Sequence, residues 1–209
     1  MSEAPEDIGE HAYDHIAQWY LEWVESDMSP RQRYTKKLLN KLPPSPSVLE
    51  LRCGPGVPLL NMLVDRGTHV TANDISAKQI EMAKARCPHV KFVAGNMATL
   101  TFEAESFHSA LSFYTLFRLP RSQLKDLLAK MYRWIKPGGL FVFNLAGIDE
   151  EEFHGEMIGF ELLKVENVKA GDGKLEEDEP DYESEFVWVM ARKPDANKGE
   201  ISEGWSQHV

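Results

Sequence analysis

The sequence predicts an α/β fold with a doubly wound, mostly parallel sheet, α-helices on both faces and an antiparallel strand near the C-terminus. Short apolar, β-branched runs alternate with segments of helical periodicity through residues 47–146, which is typical of sheets built from strand–helix–strand units. The run Ser47–Leu51 passes directly into a turn containing Gly54 and Gly56, and then into a helix. Such a strand–turn–helix arrangement brings backbone N–H groups to a ligand at the carboxyl end of a sheet.

The parallel part of the sheet is predicted from five apolar runs bounded by turn residues. These strands are residues 47–51, 69–74, 90–94, 107–114 and 140–145. From residue 29 onward four helices are predicted, two of them opened by Ser29-Pro30 and Ser76, and they span residues 29–42, 57–66, 76–87 and 120–135. Two later runs, 158–168 and 182–192, flank an acidic, glycine-rich connection and are predicted to pair antiparallel at the sheet edge.

Length and hydrophobic content indicate one domain with a substantial core, since the chain has 209 residues and 43% hydrophobic side chains. We predict a single Rossmann-like domain over residues 1–192, made of a helical cap (1–43), a ligand-binding core (47–146) and a strand pair (158–192). Residues 193–209 lack periodicity and are predicted to form a flexible tail.

Ahead of the sheet, aromatic and apolar residues recur at helical spacing between residues 7 and 26. This pattern predicts a helix with two alternative roles. The helix either packs against the core or forms a lid in which Tyr13, Trp19 and Tyr20 close over a ligand.

The connection between the fifth and sixth predicted strands is short, because only Gly147–Ile158 separates them. A crossover between parallel strands generally needs about a dozen residues or more, usually with a full helix. We therefore predict that this helix is missing or vestigial. The final strand pair is expected to be displaced or loosely held, and one sheet face is expected to expose apolar surface.

Composition excludes some classes of function. The net charge is −10 and no basic run exceeds Lys36-Lys37, which argues against a nucleic-acid partner and favours a role in solubility. No apolar run is long enough to span a bilayer, the N-terminal residues contain no apolar h-region of the signal-peptide type, and no metal site is predicted. Two cysteines fit a reduced, cytoplasmic compartment, and Cys53 is interpreted as a packing residue because no base adjoins it. A homodimer is left open.

A second predicted strand, His69–Asp74, also ends in an acid, at about the 20-residue distance typical of a carboxylate that binds ribose hydroxyls. In chain order, the motifs VLELRCGPG, HVTANDISAKQIEMAK, KFVAGNM, SFHSALSFYTLFRLP and WIKPGGLFVFNLAG resemble those of class I S-adenosylmethionine-dependent methyltransferases, in particular the small-molecule branch. The resemblance covers residues 48–147 closely. It implies S-adenosylmethionine as cofactor and a small organic molecule as methyl acceptor.

The resemblance also implies roles for individual residues. Asp74 would accept the ribose hydroxyls, with capping of the next helix as the alternative role. No catalytic residue is assigned, since the sulfonium already activates the methyl group and the protein needs mainly to orient an acceptor. The other implied cofactor contacts are Glu50 at the methionine amine, Gly54 and Gly56 through their backbone, Ile75 against adenine, Asn96 and Met97 at the adenine edge, and Tyr114. The implied substrate or lid residues are Tyr13, Tyr20 and Arg118.

Four residues depart from the family pattern. Arg52 replaces the first glycine of the turn, Asn96 and His108 replace acids, and Arg118 replaces a common histidine before Leu-Pro. We expect His108 to affect local packing, and Arg52 to oppose the sulfonium or to pair with a site carboxylate. Two functions remain open. One is S-adenosylmethionine-dependent methyl transfer to a small organic molecule, and the other is a methyltransferase-like protein without transfer activity that binds, regulates or reuses the pocket.

Overall fold

The structure is a computed structural model that describes residues 29–146, 157, 159–169 and 185–195. Seven strands of these residues form one sheet in the order β3-β2-β1-β4-β5-β7-β6. β1 pairs in parallel with β2 and β4, β2 with β3, and β4 with β5, whereas β7 runs antiparallel to β5 and β6. The predicted doubly wound, Rossmann-like sheet is therefore confirmed. The strands are β1 (Ser47–Leu51), β2 (His69–Asp74), β3 (Lys91–Ala94), β4 (Phe107–Ser112), β5 (Ile135–Ala146), β6 (Glu161–Lys169) and β7 (Glu185–Arg192).

Two of the helices begin at the predicted signals. At the first, the side-chain oxygen of Gln32 accepts a hydrogen bond of 3.0 Å from the Ser29 backbone N–H. At the third, Ser76 Oγ accepts one of 3.1 Å from the Gln79 N–H and caps the helix. The helices are α1 (Pro30–Leu39), α2 (Leu59–Asp65), α3 (Ala77–Arg86) and α4 (Arg121–Trp134), with 3-10 turns at Met97–Thr99 and Leu116–Arg118.

Helices cover both faces of the sheet, as predicted. The apolar side chains of α1, α2 and α3 join one core cluster with Val48, Val142 and Trp188. Those of α4 join a second cluster on the other face with Leu49, Phe141 and Val189. Because successive side chains of a strand point to opposite faces, each strand contributes to both cores.

Several boundaries differ from the prediction, among them the end of β4, the start of β5 and the end of α1. β4 ends at Ser112 instead of residue 114 because Tyr114 turns the chain with a φ of +55°. β5 begins at Ile135, which pairs with Phe107 before an irregularity in the ladder, so residues 136–139, which separate the predicted helix from the predicted strand, lie within β5. α1 ends at Leu39, three residues before the predicted end at 42.

The expectation of a loosely held final strand pair is wrong. β7 is paired with β5 over seven successive positions, from Leu140 opposite Arg192 to Ala146 opposite Phe186, and Trp188 is fully buried. The expected apolar surface is also absent from the described part of the chain, where Val64 alone is an exposed large hydrophobic residue. Direct hydrogen bonding to β5 holds the pair in place. The predicted loss of that helix concerns residues 147–156, which lie outside the described residues.

Replacing Gly139 by alanine is expected to lower the free energy of unfolding by about 3 kcal/mol through overpacking. A Cβ at this position would lie 2.6 Å from Ile135 Cγ2 and 2.7 Å from the His108 carbonyl oxygen. Gly138→Ala is the matched control, because its φ is +77° but nothing lies within 4 Å of the new methyl group. That variant is expected to lose only about 1 kcal/mol to backbone strain. Urea denaturation measures both losses, and equal values would contradict the prediction.

Candidate functional site

The candidate site lies at the carboxyl ends of β1, β2 and β4. The strand order reverses between β1 and β4, and in open α/β sheets ligands bind in the crevice outside the carboxyl ends of the strands at such a point. The loops that follow β1, β2, β3 and β4 carry Arg52, Ile75, Asn96 and Tyr114. The topology thus brings the predicted cofactor residues to one edge of the sheet.

The turn after β1 keeps a glycine-like backbone even where the residue is not glycine. Gly54 and Gly56 have φ values of +58° and +86°, and Arg52 has +53°, a left-handed conformation that residues with a Cβ adopt at a cost. At Gly56, a Cβ would lie 3.0 Å from Leu60 Cδ1 and 3.1 Å from Ala83 Cβ. Gly56 therefore allows the turn to pack closely against α3.

Asp74, at the end of β2, fastens this turn to the neighbouring strand. Its side chain is buried, Oδ2 accepts a hydrogen bond of 2.9 Å from the Gly54 N–H, and Oδ1 accepts one of 3.0 Å from the Ser76 N–H. Burial raises the pKa of Asp74, and these N–H donors together with the Arg52 guanidinium oppose the rise. Since Ser76 provides the N-terminal cap of α3, the alternative role of Asp74 as the cap of this helix does not explain why an acid is buried at this position.

Glu50, in β1, is the second buried acid of the site and is 4% exposed. Its Oε2 atom has no hydrogen-bond partner in the described part of the chain. Burial raises the pKa of Glu50 to about 8, the positive charge of Arg31 opposes the rise, and the negative charge of Asp74 adds to it. A buried carboxyl group with an unpartnered oxygen costs free energy, and such groups concentrate at functional sites.

Arg31, on α1, is a site residue that the sequence analysis missed. It is 8% exposed, acts electrostatically on Glu50, and its guanidinium carbon lies 5.7 Å from the centroid of the Tyr114 ring. A cavity of about 20 Å³ is lined by Arg31, Glu50, Arg52 and neighbouring apolar residues. This volume fits one water molecule or one amino group.

The residues expected to contact the adenine differ in burial. Ile75 and Asn96 are half-buried, and the Asn96 side-chain oxygen accepts a hydrogen bond of 2.9 Å from the Ala98 N–H. The Met97 side chain is 4% exposed and packs in the core beside Leu49 and Leu100. Asn73, which the sequence analysis also missed, ties the ends of β2 and β3 by donating to the carbonyls of Val93 and Gly95.

Beyond β4, the site edge is aromatic and basic. Tyr114 is half-buried, and its N–H donates a hydrogen bond of 2.6 Å to the side-chain oxygen of Asn144, a buried residue of β5. Arg118 is exposed, with its guanidinium carbon 5.9 Å from the Phe117 ring centroid. Asn144 was also missed, although a lone amide in the apolar run LFVFNLA was a readable signal. Tyr13 and Tyr20 lie outside the described residues.

Histidines of the described residues lie at the opposite edge of the sheet. His69 opens β2 and His89 precedes β3, and both line a groove of about 790 Å³ at the amino ends of the strands. His108, near the start of β4, accepts a hydrogen bond of 2.9 Å at Nδ1 from the Ser47 N–H. The expectation that His108 serves local packing is therefore confirmed.

Three further sequence expectations concern cysteines, metals and membranes. Cys53 is buried, and burial raises the pKa of its thiol well above the ordinary value, so it fits a packing role. Among the described residues, no three His, Cys, Asp or Glu side chains cluster as a metal site would require. No helix within the same residues has the length and apolarity to cross a bilayer.

Comparisons with known proteins give a consistent result. A family model of the methyltransferase domain matches residues 48–139. The chain is 31% identical over 108 residues to the 24-methylenesterol C-methyltransferase 2 of Oryza sativa subsp. japonica, a stretch that is 47% of this chain and only 28% of that protein. Much of that relative's length thus has no counterpart in the chain.

Many solved structures share the fold, including those of a cyclase and a methyltransferase. The [4+2]-cyclase SpnF is 17% identical, with a TM-score of 0.71, and the match covers 93% of this chain and 98% of that one. The 1,6-didemethyltoxoflavin-N1-methyltransferase of Burkholderia thailandensis, with bound 1,6-didemethyltoxoflavin and S-adenosylhomocysteine, is 19% identical, with a TM-score of 0.67 and coverages of 93% and 92%.

Glu50 is expected to make stability depend on pH. Its pKa is about 8 in the folded chain against an ordinary 4.5. Between these values the folded chain keeps the proton that the unfolded chain has lost, so the free energy of unfolding falls as pH rises from about 4.5 to about 8. Glutamine does not titrate, so the Glu50→Gln variant should lose this fall and gain stability relative to the unchanged chain as pH rises. Urea unfolding at several pH values measures the free energy of unfolding of both proteins. Glu103→Gln, at an exposed position, is the control, and the same pH profile in both variants would refute the assignment.

Proposed function

We propose that the chain is a class I S-adenosylmethionine-dependent methyltransferase and transfers a methyl group from this cofactor to a small organic molecule. The match of a methyltransferase-domain family model to residues 48–139 supports this proposal. The observation that carries the proposal is the pair of buried acids, Glu50 and Asp74, beside a turn that combines Gly54 and Gly56. These groups match the cationic and hydroxyl groups of the cofactor.

The chemistry of the two acids fits such a cofactor. Glu50 Oε2 lacks a hydrogen-bond partner among the described residues, and an ammonium group of the methionine part would supply one. Both Asp74 oxygens accept backbone N–H groups, and a carboxylate, which has about four acceptor sites, keeps lone-pair capacity for ribose hydroxyls. When bound, S-adenosylmethionine supplies the activated methyl group.

Other residues complete the proposed cofactor site. Arg31, adjacent to Glu50, would pair with the carboxylate of the methionine part. Ile75 would pack against the adenine and Asn96 would bind its amine, whereas Met97, whose side chain is in the core, would contribute its backbone. Tyr114 would close the side of the site that faces β4.

The proposed acceptor is a small organic molecule. The names of the matched proteins support this class, since one is a methyltransferase of a sterol and another of 1,6-didemethyltoxoflavin. Arg118 cannot serve as a base near neutral pH, so in this proposal it orients an anionic group of the acceptor. Tyr13 and Tyr20 remain proposed lid residues.

A second candidate function is cofactor binding without methyl transfer. It is favoured by Arg52, whose positive charge acts on Asp74 and would lie near the sulfonium. A guanidinium there opposes the charged cofactor more than its neutral thioether product.

Asp74→Ala is expected to weaken S-adenosylhomocysteine binding by about 1–3 kcal/mol, because a charged hydrogen-bond acceptor is lost. Isothermal titration calorimetry measures this change. Ser76→Ala is the matched control, since it removes the α3 cap at a cost of about 1 kcal/mol in stability and leaves the Asp74 carboxylate in place. An affinity loss as large in Ser76→Ala, or no binding by the unchanged chain, would contradict the proposal.

Arg52→Gly is expected to tighten cofactor binding, and more for S-adenosylmethionine than for S-adenosylhomocysteine. The substitution removes like-charge repulsion and suits the φ of +53°. Arg52→Lys keeps the charge at the same position and should retain the original preference. Calorimetric titration with both ligands compares the three proteins. Unchanged binding by Arg52→Gly would mean that Arg52 is turned away from the cofactor, and weaker binding would mean that Arg52 is part of the binding site. Either result would contradict the prediction.

A further inference from the structure

A wall of aromatic rings borders the candidate site on the side of β4, β5 and β7. Tyr114 follows β4, Phe117 lies in the next 3-10 turn, and Phe186 pairs with Ala146 at the carboxyl end of β5. We propose that these three residues, named here the aromatic wall, bind the methyl acceptor, and that the acceptor is a flat, conjugated ring of the phenol class. The inference rests on the proposed function for the position of the cofactor beside the wall.

The rings of the wall are arranged to receive another ring. The Tyr114 and Phe186 rings lie edge to face at 5.0 Å and 88°, and Phe117 and Phe186 lie 5.8 Å apart at 46°. All three side chains are half-buried, so part of each ring is accessible. Aromatic pairs favour such offset and edge-to-face arrangements, and a further planar ring extends them.

A rigid backing holds the wall. Trp188 is fully buried behind it, with Tyr114 at 5.7 Å and 85° and Phe113 at 5.1 Å. Tyr34 of α1 also stacks on Trp188, with ring centroids 4.7 Å apart. Because these backing side chains are packed in the core, the wall keeps its shape without a ligand, and a preformed surface loses little entropy on binding.

Asn144 is the positioning residue of the wall. Tyr114 has a φ of +55°, which is strained for a residue with a bulky side chain. The Asn144 side-chain oxygen stabilises this conformation by accepting the Tyr114 N–H at 2.6 Å. Its Nδ2 atom has no hydrogen-bond partner among the described residues. Retaining a fully buried amide in an apolar strand at such a cost is explained if it directs the Tyr114 ring into the site.

The charges around the wall favour an acceptor oxygen that ionises. The guanidinium of Arg31 lies 5.7 Å from the Tyr114 ring centroid, and that of Arg118 lies 5.9 Å from the Phe117 centroid. Nearby positive charge lowers the pKa of an acidic hydroxyl. The histidines of the described residues all lie at the opposite sheet edge, so a hydroxyl acidic enough to lose its proton to solvent suits this edge. A phenol has that acidity, and an aliphatic alcohol does not.

The test uses 2-naphthol and its saturated counterpart decahydro-2-naphthol as probes, each titrated with and without saturating S-adenosylhomocysteine. The aromatic wall should bind 2-naphthol at least about tenfold more tightly than the saturated probe. Absorbance titration should show a lower apparent pKa for bound than for free 2-naphthol. Equal affinities for the two probes, or a pKa that is unchanged or raised on binding, would overturn the inference.

Two variants localise the probe. Phe186→Leu should weaken 2-naphthol binding about tenfold and leave the affinity for S-adenosylhomocysteine unchanged. Phe102→Leu is the matched control, because Phe102 is half-buried, makes two edge-to-face ring contacts at 5.0 and 5.2 Å, and lines the groove at the opposite sheet edge. A loss in Phe102→Leu and none in Phe186→Leu would place the probe in that groove and refute the proposal.

A second pair of variants tests whether Asn144 positions the Tyr114 ring. Asn144→Leu removes the acceptor of the Tyr114 N–H and should weaken 2-naphthol binding, whereas Asn144→Asp keeps an oxygen there and should restore most of it. Thermal unfolding of each variant verifies that it folds. If the unchanged chain does not bind S-adenosylhomocysteine but its binding of 2-naphthol still depends on Phe186, the proposed function is refuted and the aromatic wall is supported. The reverse result would refute the wall alone.

Discussion

The hydrogen bond from the Gly54 N–H to Asp74 is the interaction on which the rest of the site depends. It joins the turn after β1 to the end of β2 at 2.9 Å, and the second Asp74 oxygen holds the Ser76 N–H at the entrance to α3. A buried carboxylate that accepts two N–H groups is well satisfied, so the acid is stable in a position that water does not solvate. The turn, the strand and the helix are consequently held as one unit facing the site.

Around this unit, the positive charges of two arginines partly offset the negative charges of two buried acids. Glu50 and Asp74 are buried next to each other, and Arg31 and Arg52 act on them in turn. Burial is the main cause of the raised pKa of Glu50, the positive charge of Arg31 opposes the rise, and the negative charge of Asp74 adds to it. A ligand that carries an ammonium group and hydroxyls would change this balance directly. The site is therefore sensitive to single changes of charge.

The antiparallel end of the sheet has a comparable influence on the other side of the site. By pairing directly with β5, β7 buries Trp188 and brings Phe186 to the same edge as Tyr114. The edge beyond β4 thus combines rigid aromatic surface with cationic groups. The two sides of the site differ in character, since the turn side is polar and the β7 side is apolar.

The sequence by itself determined the parallel part of the sheet, the two helix starts at Ser29-Pro30 and Ser76, and the location of Glu50 and Asp74 at strand ends. These features depend on patterns between residues close in the chain, which the alternation of side chains and the local capping groups specify. Only the tertiary structure decided that Arg31 of α1 lies beside Glu50, that Asn144 holds Tyr114 across 30 residues, and that β7 pairs between β5 and β6. Such contacts join residues far apart in the chain and result from packing of whole elements, for which no local pattern exists. The left-handed backbone conformation of Arg52 was also decided by the tertiary structure, because only the constraint of the closed turn imposes a conformation typical of glycine on an arginine.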